Sequence, residues 1–331
     1  MTSTIAKTEI RARRIAVVDA LRGVAIAAMV VYHFSWDLSY FGFVSVNVAA
    51  DPGWKAFART IAGTFVTLVG VSLVLATRQG FHLRPYLRRL AVIVGAALLV
   101  TIGTWYVFPD AYVFFGILHL IAFASVAALP FLWLPIPVVL IVGLAVFALP
   151  FFFTAEIFAN PALLWLGLSP RLPTSVDYVP VFPWFALTLF GIVIGRLFDR
   201  FASDSVLAMW TPSHLPGRAA IFAGRWSLLI YLLHQPILIG VVGAVAPFAV
   251  TPVGLAEQFV MDCTTQCRLG GMDQPTCEAT CRCVHAGMEG AGLPTSVDTS
   301  RLTATQRDRW IALVRQCVPT DGEESPESSG N

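Results

Sequence analysis

The chain has 331 residues, of which 56% are hydrophobic and only 13% are charged, and its formal net charge is +2. Soluble globular domains are about 45–50% apolar and about 25% charged, so this composition excludes an ordinary soluble domain and predicts a polytopic protein of the lipid bilayer. The small net charge gives no reason to expect nucleic acid as a partner.

Seven apolar stretches have about the length of a membrane-spanning helix. They cover residues 16–36, 58–77, 90–108, 112–130, 132–153, 182–198 and 224–248. The prolines of LPFLWLPIP predict a tight turn between the fourth and fifth stretches. We therefore predict an all-α membrane bundle of about seven spans over residues 16–248. Residues 1–15 precede it, and we expect no cleaved signal peptide.

The basic residues of the short loops predict the orientation, because they concentrate on the cytoplasmic side. One set of flanks holds Lys7, Arg11, Arg13, Arg14, Arg78, Arg84, Arg88, Arg89, Arg196, Arg200 and Arg218. The opposite set holds only Lys55, Arg59 and Arg171. The N-terminal segment is therefore expected in the cytoplasm. An odd number of spans puts the C-terminal tail outside. We expect a protein of the bacterial inner membrane, so the tail is expected in the periplasm.

The first span, DALRGVAIAAMVVYHFSWDL, carries Asp19, Arg22, His33 and Asp37. Ionisable residues in a span usually face the bundle interior or a water-filled cavity. At 100° per residue these four and Met29 share one helix face, and Arg22 lies about 16 Å along the axis from His33. The pattern indicates a lined passage from the inner to the outer end. The alternatives are a structural Asp19–Arg22 ion pair and a histidine that only completes interior hydrogen bonds.

The candidate catalytic residues follow from this stripe. Asp37 lies one turn after His33, and a carboxylate beside an imidazole orients it and raises its basicity. His33 is therefore the candidate general base, and Asp37 its orienting partner. His119, about two turns into the fourth span, can share the depth of His33 and is a third candidate catalytic residue. For His234, in the seventh span, the alternative is that it satisfies a backbone carbonyl freed by the Pro236 kink.

The tail contains all six cysteines. CTTQCRLGGMDQPTCEATCRC holds two pairs spaced four apart around a turn, which predicts a cysteine-rich helical hairpin over residues 249–292. Its natural bridges are Cys263–Cys281 and Cys267–Cys277, with Cys283–Cys317 remaining by elimination among 15 pairings. A zinc site of four cysteines with His285 is the alternative, although an oxidising compartment favours disulfides. Residues 293–331 form a polar tail, with disorder expected at GEESPESSGN.

Five motifs occur together and in order: VDALRGVAIAAMVVYHFSWDLSYFG, TFVTLVGVSLVLATRQG, FFGILHLIAFAS, VFPWFALTLFGIVIGRL and GRWSLLIYLLHQPIL. Over residues 14–245 the chain resembles a bacterial family similar to the catalytic domain of heparan-alpha-glucosaminide N-acetyltransferase. The first motif also resembles the Arg–x10–His start of the membrane sugar acyltransferases. In the lysosomal enzyme the loop after the first span has a histidine thought to be catalytic. Here Ser39 to Lys55 contains none, and His33 stands where that enzyme has asparagine.

This resemblance implies transfer of an acetyl or other acyl group from cytoplasmic acyl-coenzyme A to a sugar amine or hydroxyl on the outer side, without a metal. Phosphates of coenzyme A need cations at the inner mouth, and the predicted cofactor-binding residues are Asp19, Arg22, Arg225 and His234. The basic cluster at Arg84, Arg88 and Arg89 is a further candidate, for which the positive-inside rule is a sufficient explanation.

Direct transfer in a ternary complex is the simplest mechanism, since no cysteine lies in the membrane part. A transient acyl-histidine is its alternative. Two other classes stay open, a proton-coupled small-molecule transporter and a non-catalytic membrane assembly protein that docks through the cysteine hairpin. Homo-oligomerisation stays open as well.

Overall fold

The computed structural model describes residues 15–44, 46–201, 210–249, 252–269, 272–291, 293 and 303–318. Within these residues the regular structure is helical throughout. The basic residues up to Arg14 and the GEESPESSGN stretch, for which we made predictions, lie outside them. The chain divides into two compact units, residues 1–30 with 57–234 and residues 31–56 with 235–331.

Eight helices belong wholly or partly to the first unit. They are α1 (Ala16–Tyr40), α2 (Pro52–Thr77), α3 (Leu83–Val107), α4 (Ile117–Ala127), α5 (Ile136–Phe152), α6 (Val181–Phe201), α7 (Leu215–Arg225) and α8 (Ser227–Ala249). The end of α1, the first residues of α2 and most of α8 belong to the second unit. Short 3-10 helices follow α4 at 129–132 and α5 at 156–159 and 164–166.

Five of the described helices, namely α1, α2, α3, α6 and α8, are long and apolar enough to cross a membrane. The chain is therefore an all-helical integral membrane protein. The predicted fourth and fifth spans form shorter helices, α4 with 11 residues and α5 with 17. They measure about 17 Å and 26 Å, less than the hydrocarbon core of about 30 Å. The count of seven spans stays a prediction.

Helix α4 begins five residues later than its apolar stretch because the preceding backbone is bound elsewhere. The carbonyls of Ala111 and Phe115 accept hydrogen bonds from the amides of Val176 and Val179. Gly116 is extended, with φ of −97° and ψ of −169°. These long-range bonds fix the start of α4 at Ile117.

The core of the first unit lies among α2, α4 and α6, where Val66, Leu120, Leu189 and Ile192 are fully or almost fully buried. An ion pair also joins the ends of two of these helices. At the C-terminal ends of α2 and α6, Arg78 forms an ion pair with Asp199 at 2.8 Å.

The second unit contains α9 (Pro252–Leu269), α10 (Gln274–Ala291) and α11 (Ala304–Cys317). Disulfides join Cys263 to Cys281, Cys267 to Cys277 and Cys283 to Cys317, so the three predicted pairings are confirmed. Every cysteine sulfur is bonded to another sulfur, and the zinc alternative is not realised.

Helix α11 was not predicted, since its segment was assigned to a polar tail. Thr303 caps it, with its hydroxyl accepting from the amide of Gln306. Trp310, Leu313 and Val314 of α11 pack against a small core that includes Phe259 and Met288. The short apolar face and the Cys283–Cys317 bridge hold this helix in an otherwise polar stretch.

Candidate functional site

The predicted polar stripe of α1 faces away from its exposed surface. Asp19 and Met29 are buried and Asp37 is completely buried, while Arg22 and His33 are partly buried. On the opposite side of the helix, Val24 and Val31 are 60% and 54% exposed. This distribution is the one expected of a helix that shows apolar side chains to lipid and polar ones to protein.

Near the start of α1, the carboxylate of Asp19 lies between two guanidinium groups. Nη1 of Arg22 is 3.5 Å from Oδ1, and Nε of Arg225 is 3.5 Å from Oδ2. Arg22 also donates to the hydroxyl of Ser72, which in turn donates to the carbonyl of Leu68. Three of the four predicted cofactor-binding residues are therefore brought together.

The charge of this cluster suits an anion. Two guanidinium groups and one carboxylate give these three side chains a net charge of +1. The Arg225 side chain is 52% exposed and can reach a ligand. The helices approach closely here, because a Cβ at Gly224 would collide with the backbone carbonyl of Asp19. This tight contact between α7 and α1 holds the backbone of Asp19 in place, and its carboxylate in turn positions both arginines.

His119 closes the start of α4 and is its third residue, not two turns inside a span as predicted. Its Nδ1 accepts from the amide of Gly116 at 3.2 Å, so this nitrogen carries no proton. Nε2 then carries the proton and lies 3.2 Å from the hydroxyl of Thr101, which donates to the carbonyl of Val113. Both ring nitrogens thus bind protein.

Asp177, which the sequence analysis did not single out, also binds the start of α4. Its Oδ2 accepts from the amide of Ile117 at 3.0 Å, at the positive end of the helix dipole. Burial raises the pKa of the Asp177 carboxyl, although hydrogen bonds from Ile117 and from the Tyr231 hydroxyl act in the opposite direction. This carboxylate links α4 to α8 within the first unit.

His234, the fourth predicted cofactor-binding residue, is held by its own helix. Its Nδ1 lies 2.7 Å from the carbonyl of Tyr231 and 3.2 Å from that of Ile230. Neither carbonyl is the one freed by Pro236, so the predicted cofactor-binding role of His234 and its alternative both stay predictions. These carbonyls precede the one at Leu232 that loses its donor at Pro236.

Near the other end of α1, in the second unit, Asp37 binds a residue that the sequence analysis did not assign. Its Oδ1 accepts from Nε2 of Gln235 at 2.8 Å. Its Oδ2 is buried and has no hydrogen-bond partner among the described residues. His33 lies one turn before Asp37, with its ring edge-on to that of Tyr32 at 5.4 Å. The orienting role of Asp37 stays a prediction.

The residues missed by sequence reasoning share one signal. Ser72, Thr101 and Gln235 are polar residues inside apolar stretches, and such residues usually bind one another or the backbone. Gln235 stands within the quoted motif LLHQPIL, beside the histidine that drew attention. Asp177 carried no such signal, because it lies in a loop.

One comparison with known proteins confirms the resemblance predicted from the sequence motifs. The family model described as "Heparan-alpha-glucosaminide N-acetyltransferase, catalytic" matches residues 14–236. No curated protein matches the chain. No solved structure matches it either.

Proposed function

Because the chain belongs to the heparan-alpha-glucosaminide N-acetyltransferase catalytic family, we propose that it moves an acetyl or other acyl group from cytoplasmic acyl-coenzyme A to a sugar amine or hydroxyl on the outer side. The family implies a transferase, and the apolar helices suit a bilayer. The observation that carries the proposal is α1 itself. One unbroken helix holds a two-arginine cluster near its start and His33 with a buried carboxylate near its end.

Arg22 and Arg225 are the proposed ligands of the coenzyme A phosphates. Guanidinium groups bind phosphate through parallel, charge-assisted hydrogen bonds. Asp19 holds both groups close together before a ligand arrives, which lowers the entropy lost on binding. Acetyl-coenzyme A is the proposed co-substrate, since the family name specifies acetyl transfer.

The proposed chemistry is direct transfer. The acceptor nitrogen or oxygen attacks the thioester carbonyl while His33 takes its proton. The new C–N or C–O bond forms, the tetrahedral oxyanion collapses, and the C–S bond breaks. The thiolate leaves as coenzyme A and takes the proton from His33. The buried carboxylate of Asp37 stabilises the imidazolium that forms in between.

The oxyanion needs a donor, and His119 is our candidate. To serve the oxyanion, its Nε2–H has to leave the hydroxyl of Thr101. The Thr101 hydroxyl already donates its proton to the carbonyl of Val113, so no rotation of this hydroxyl can replace the bond that His119 gives up. The donor role therefore requires a change at the start of α4.

The experiment uses protein purified in detergent with acetyl-coenzyme A and D-glucosamine. N-acetylglucosamine is detected by mass spectrometry, and released coenzyme A by a thiol reagent. Arg22→Gln and Arg225→Gln should each weaken coenzyme A binding about tenfold, as expected for loss of a hydrogen bond to a charged group. Arg171→Gln is the matched control, since Arg171 is exposed and paired only with Glu156 among the described residues.

The alternatives predict different results. A proton-coupled transporter or an assembly protein would neither bind coenzyme A nor release it from its thioester. Absence of both coenzyme A binding and thioester consumption, with sugar amines and hydroxyls alike, would refute the proposal. Normal coenzyme A binding by folded Arg22→Gln would refute the assignment of the donor site.

A further inference from the structure

The second unit contains a cavity that the reaction scheme does not use. Its volume is about 660 Å³, within the range of about 300–1,000 Å³ typical of small-molecule pockets. The last turn of α1, the loop after it and the three helices of the cysteine-rich part all contribute to its walls. The disulfides Cys263–Cys281 and Cys267–Cys277 contribute sulfur atoms to these walls and brace them.

Several polar side chains line the cavity. Asp262 on α9 accepts a hydrogen bond from Nδ2 of Asn47 at 2.7 Å. Thr280 on α10 also lines the cavity and is only 7% exposed. Its hydroxyl has no hydrogen-bond partner among the described residues. A buried hydroxyl without a partner costs free energy unless a ligand or water supplies one.

Aromatic rings also line the cavity, and we call these residues the aromatic wall. Trp36 and Tyr40 of α1 stack with centroids 5.0 Å apart and ring planes at 12°, and Trp310 of α11 also lines the cavity. Rings of this kind bury the apolar C–H face of a sugar while leaving its hydroxyls to polar neighbours.

The charge of the cavity selects among ligands. No Lys, Arg or His is among the described residues that line it, and Asp262 is the only carboxylate among them. A phosphate-bearing ligand such as coenzyme A would meet no cation here. A ligand that carries an amine would meet a carboxylate.

We infer that this cavity is a binding site for an amine-bearing saccharide, with its ammonium on Asp262, its hydroxyls on Asn47 and Thr280, and its ring against the aromatic wall. Burial raises the pKa of the Asp262 carboxyl, so an ammonium would relieve an unfavourable charge. The site recognises the ligand and performs no chemistry, because a protonated amine is not a nucleophile and has to leave Asp262 and lose its proton before it can accept an acyl group.

As an acceptor subsite this inference rests on the proposed function. Trp36 and Tyr40 follow His33 by one and two helical turns, about 4.5 Å and 10 Å along α1. A saccharide in the cavity would therefore lie near the outer end of the stripe. The helices α9, α10 and α11 lie beyond residue 236, outside the part matched by the family. Acceptor selectivity would then come from a part added to the family's domain.

Binding is tested without coenzyme A, so that it is independent of acyl transfer. Titration calorimetry of the full-length protein in detergent compares D-glucosamine, D-glucose and ethanolamine. We expect glucosamine to bind at least about tenfold more tightly than either of the others, since only it offers both ring and ammonium. Equal binding of glucose, or of ethanolamine, would overturn the inference.

Two variants with matched controls locate the site. Asp262→Asn should weaken glucosamine binding about tenfold and leave glucose binding unchanged. Thr280→Val, which keeps the shape of the side chain but removes its hydroxyl, should weaken the binding of both glucosamine and glucose. Asp308→Asn and Thr305→Val alter exposed residues of α11 and should change neither. Non-reducing mass spectrometry checks that all three disulfides remain.

Wild-type affinity in both folded variants would place the sugar elsewhere and overturn the site. The two proposals can fail separately. Glucosamine binding that depends on Asp262, in a protein without acyl transfer, would support the saccharide site and contradict the enzyme. Acyl transfer with kinetics insensitive to Asp262→Asn and Thr280→Val would support the enzyme and contradict the subsite.

Discussion

The carboxylate of Asp37 is completely buried and accepts a hydrogen bond from Gln235. This bond determines what a substitution of Asp37 can test. In Asp37→Asn the amide oxygen can still accept from Gln235, so the local structure should survive. What is lost is the negative charge one turn from His33. Asp37→Asn is therefore a charge test, whereas Asp37→Ala would also leave the amide of Gln235 buried without its acceptor.

Replacement of His33 should remove the general base. General-base catalysis typically contributes about 10²–10⁴-fold, so His33→Ala should slow acyl transfer by about that factor, and Asp37→Asn by less. The measurement is transfer per mole of folded, coenzyme A-binding protein. His82→Ala, at an exposed histidine before α3, is the control and should be fully active. Wild-type transfer by His33→Ala would exclude His33 as the base.

Asp262 should make the stability of the cysteine-rich part depend on pH. Burial raises its pKa in the folded state, so the folded protein holds the proton more tightly than the unfolded chain does. Its stabilising contribution is fully present below the unfolded pKa of about 3.9 and is lost as the pH rises through the folded pKa. Asp262→Asn should remove this loss, and Asp308→Asn should not.

Hydrogen exchange of α9 and α10, corrected for the intrinsic exchange rate at each pH, measures this stability. Asp273 acts in the opposite sense, since hydrogen bonds with Thr276 lower the pKa of its carboxyl. Comparison of Asp262→Asn with the wild type cancels that contribution. Parallel pH profiles of the two proteins would show that Asp262 does not carry the effect.

At the residue scale the sequence predicted what helical periodicity alone determines. Asp19, Arg22, His33 and Asp37 share a face because they are on one helix, and the cysteine pairs follow from the same spacing. The partners Ser72, Arg225 and Gln235 come from other helices, 50 to 206 residues away along the chain. Periodicity contains no information about which polar group of a distant helix completes a bond.

Helices α2 and α6 meet through glycines, and this contact fixes the core of the first unit. A Cβ at Gly191 would collide with the backbone carbonyl of Thr67, and one at Gly70 with that of Thr188. Thr188 is fully buried and donates to the carbonyl of Val66 at 3.3 Å, across the same contact. Small residues allow such close approach of helices in membranes, where it replaces the hydrophobic effect as the source of packing energy.

Gly191→Ala should therefore separate the two helices. Overpacking typically costs about 1–3 kcal/mol, which should lower the midpoint of SDS-induced unfolding followed by circular dichroism. Gly95→Ala on α3 is the control, since a Cβ there would meet nothing within 4 Å. It should leave the midpoint unchanged or raise it. Equal midpoints for the two variants would mean that α2 and α6 do not pack at these glycines.

The sequence predicted that the membrane part consists of helices, but it did not predict where each helix begins and ends. Every described helix of the membrane part lies within or overlaps an apolar stretch, although α7, whose sequence is more polar, overlaps one by only two residues. The start of α4 depends on bonds to Val176 and Val179, about 60 residues later, which no local pattern reveals. Helix α11 was missed because only a short run of apolar side chains interrupts its polar sequence, which is too little to give the pattern of an amphipathic helix.

Across the whole molecule, the short helices α4 and α5 run in opposite directions, as the predicted topology requires. The carbonyl of Leu134, between α4 and α5, accepts from Arg196 near the C-terminal end of α6. The start of α4 binds the segment just before α6 through Phe115 and Val179. The chain thus runs along the bundle in α4 and back in α5. If both helices cross the membrane, the described part of the chain has seven spans, and if neither crosses it has five, so both cases agree with the predicted odd number.

An odd number of spans places the two ends of the chain on opposite sides. With the N-terminus in the cytoplasm, alkaline phosphatase fused to the C-terminus should be active in intact bacteria, and green fluorescent protein there should be dark. All six cysteines should resist alkylation in intact cells until a reductant is added, because their disulfides form only in an oxidising compartment. Fluorescence from the C-terminal fusion, together with alkylated thiols at Cys263 and Cys281, would mean that only one of α4 and α5 crosses. The saccharide site would then face the cytoplasm, away from any acceptor on the outer side.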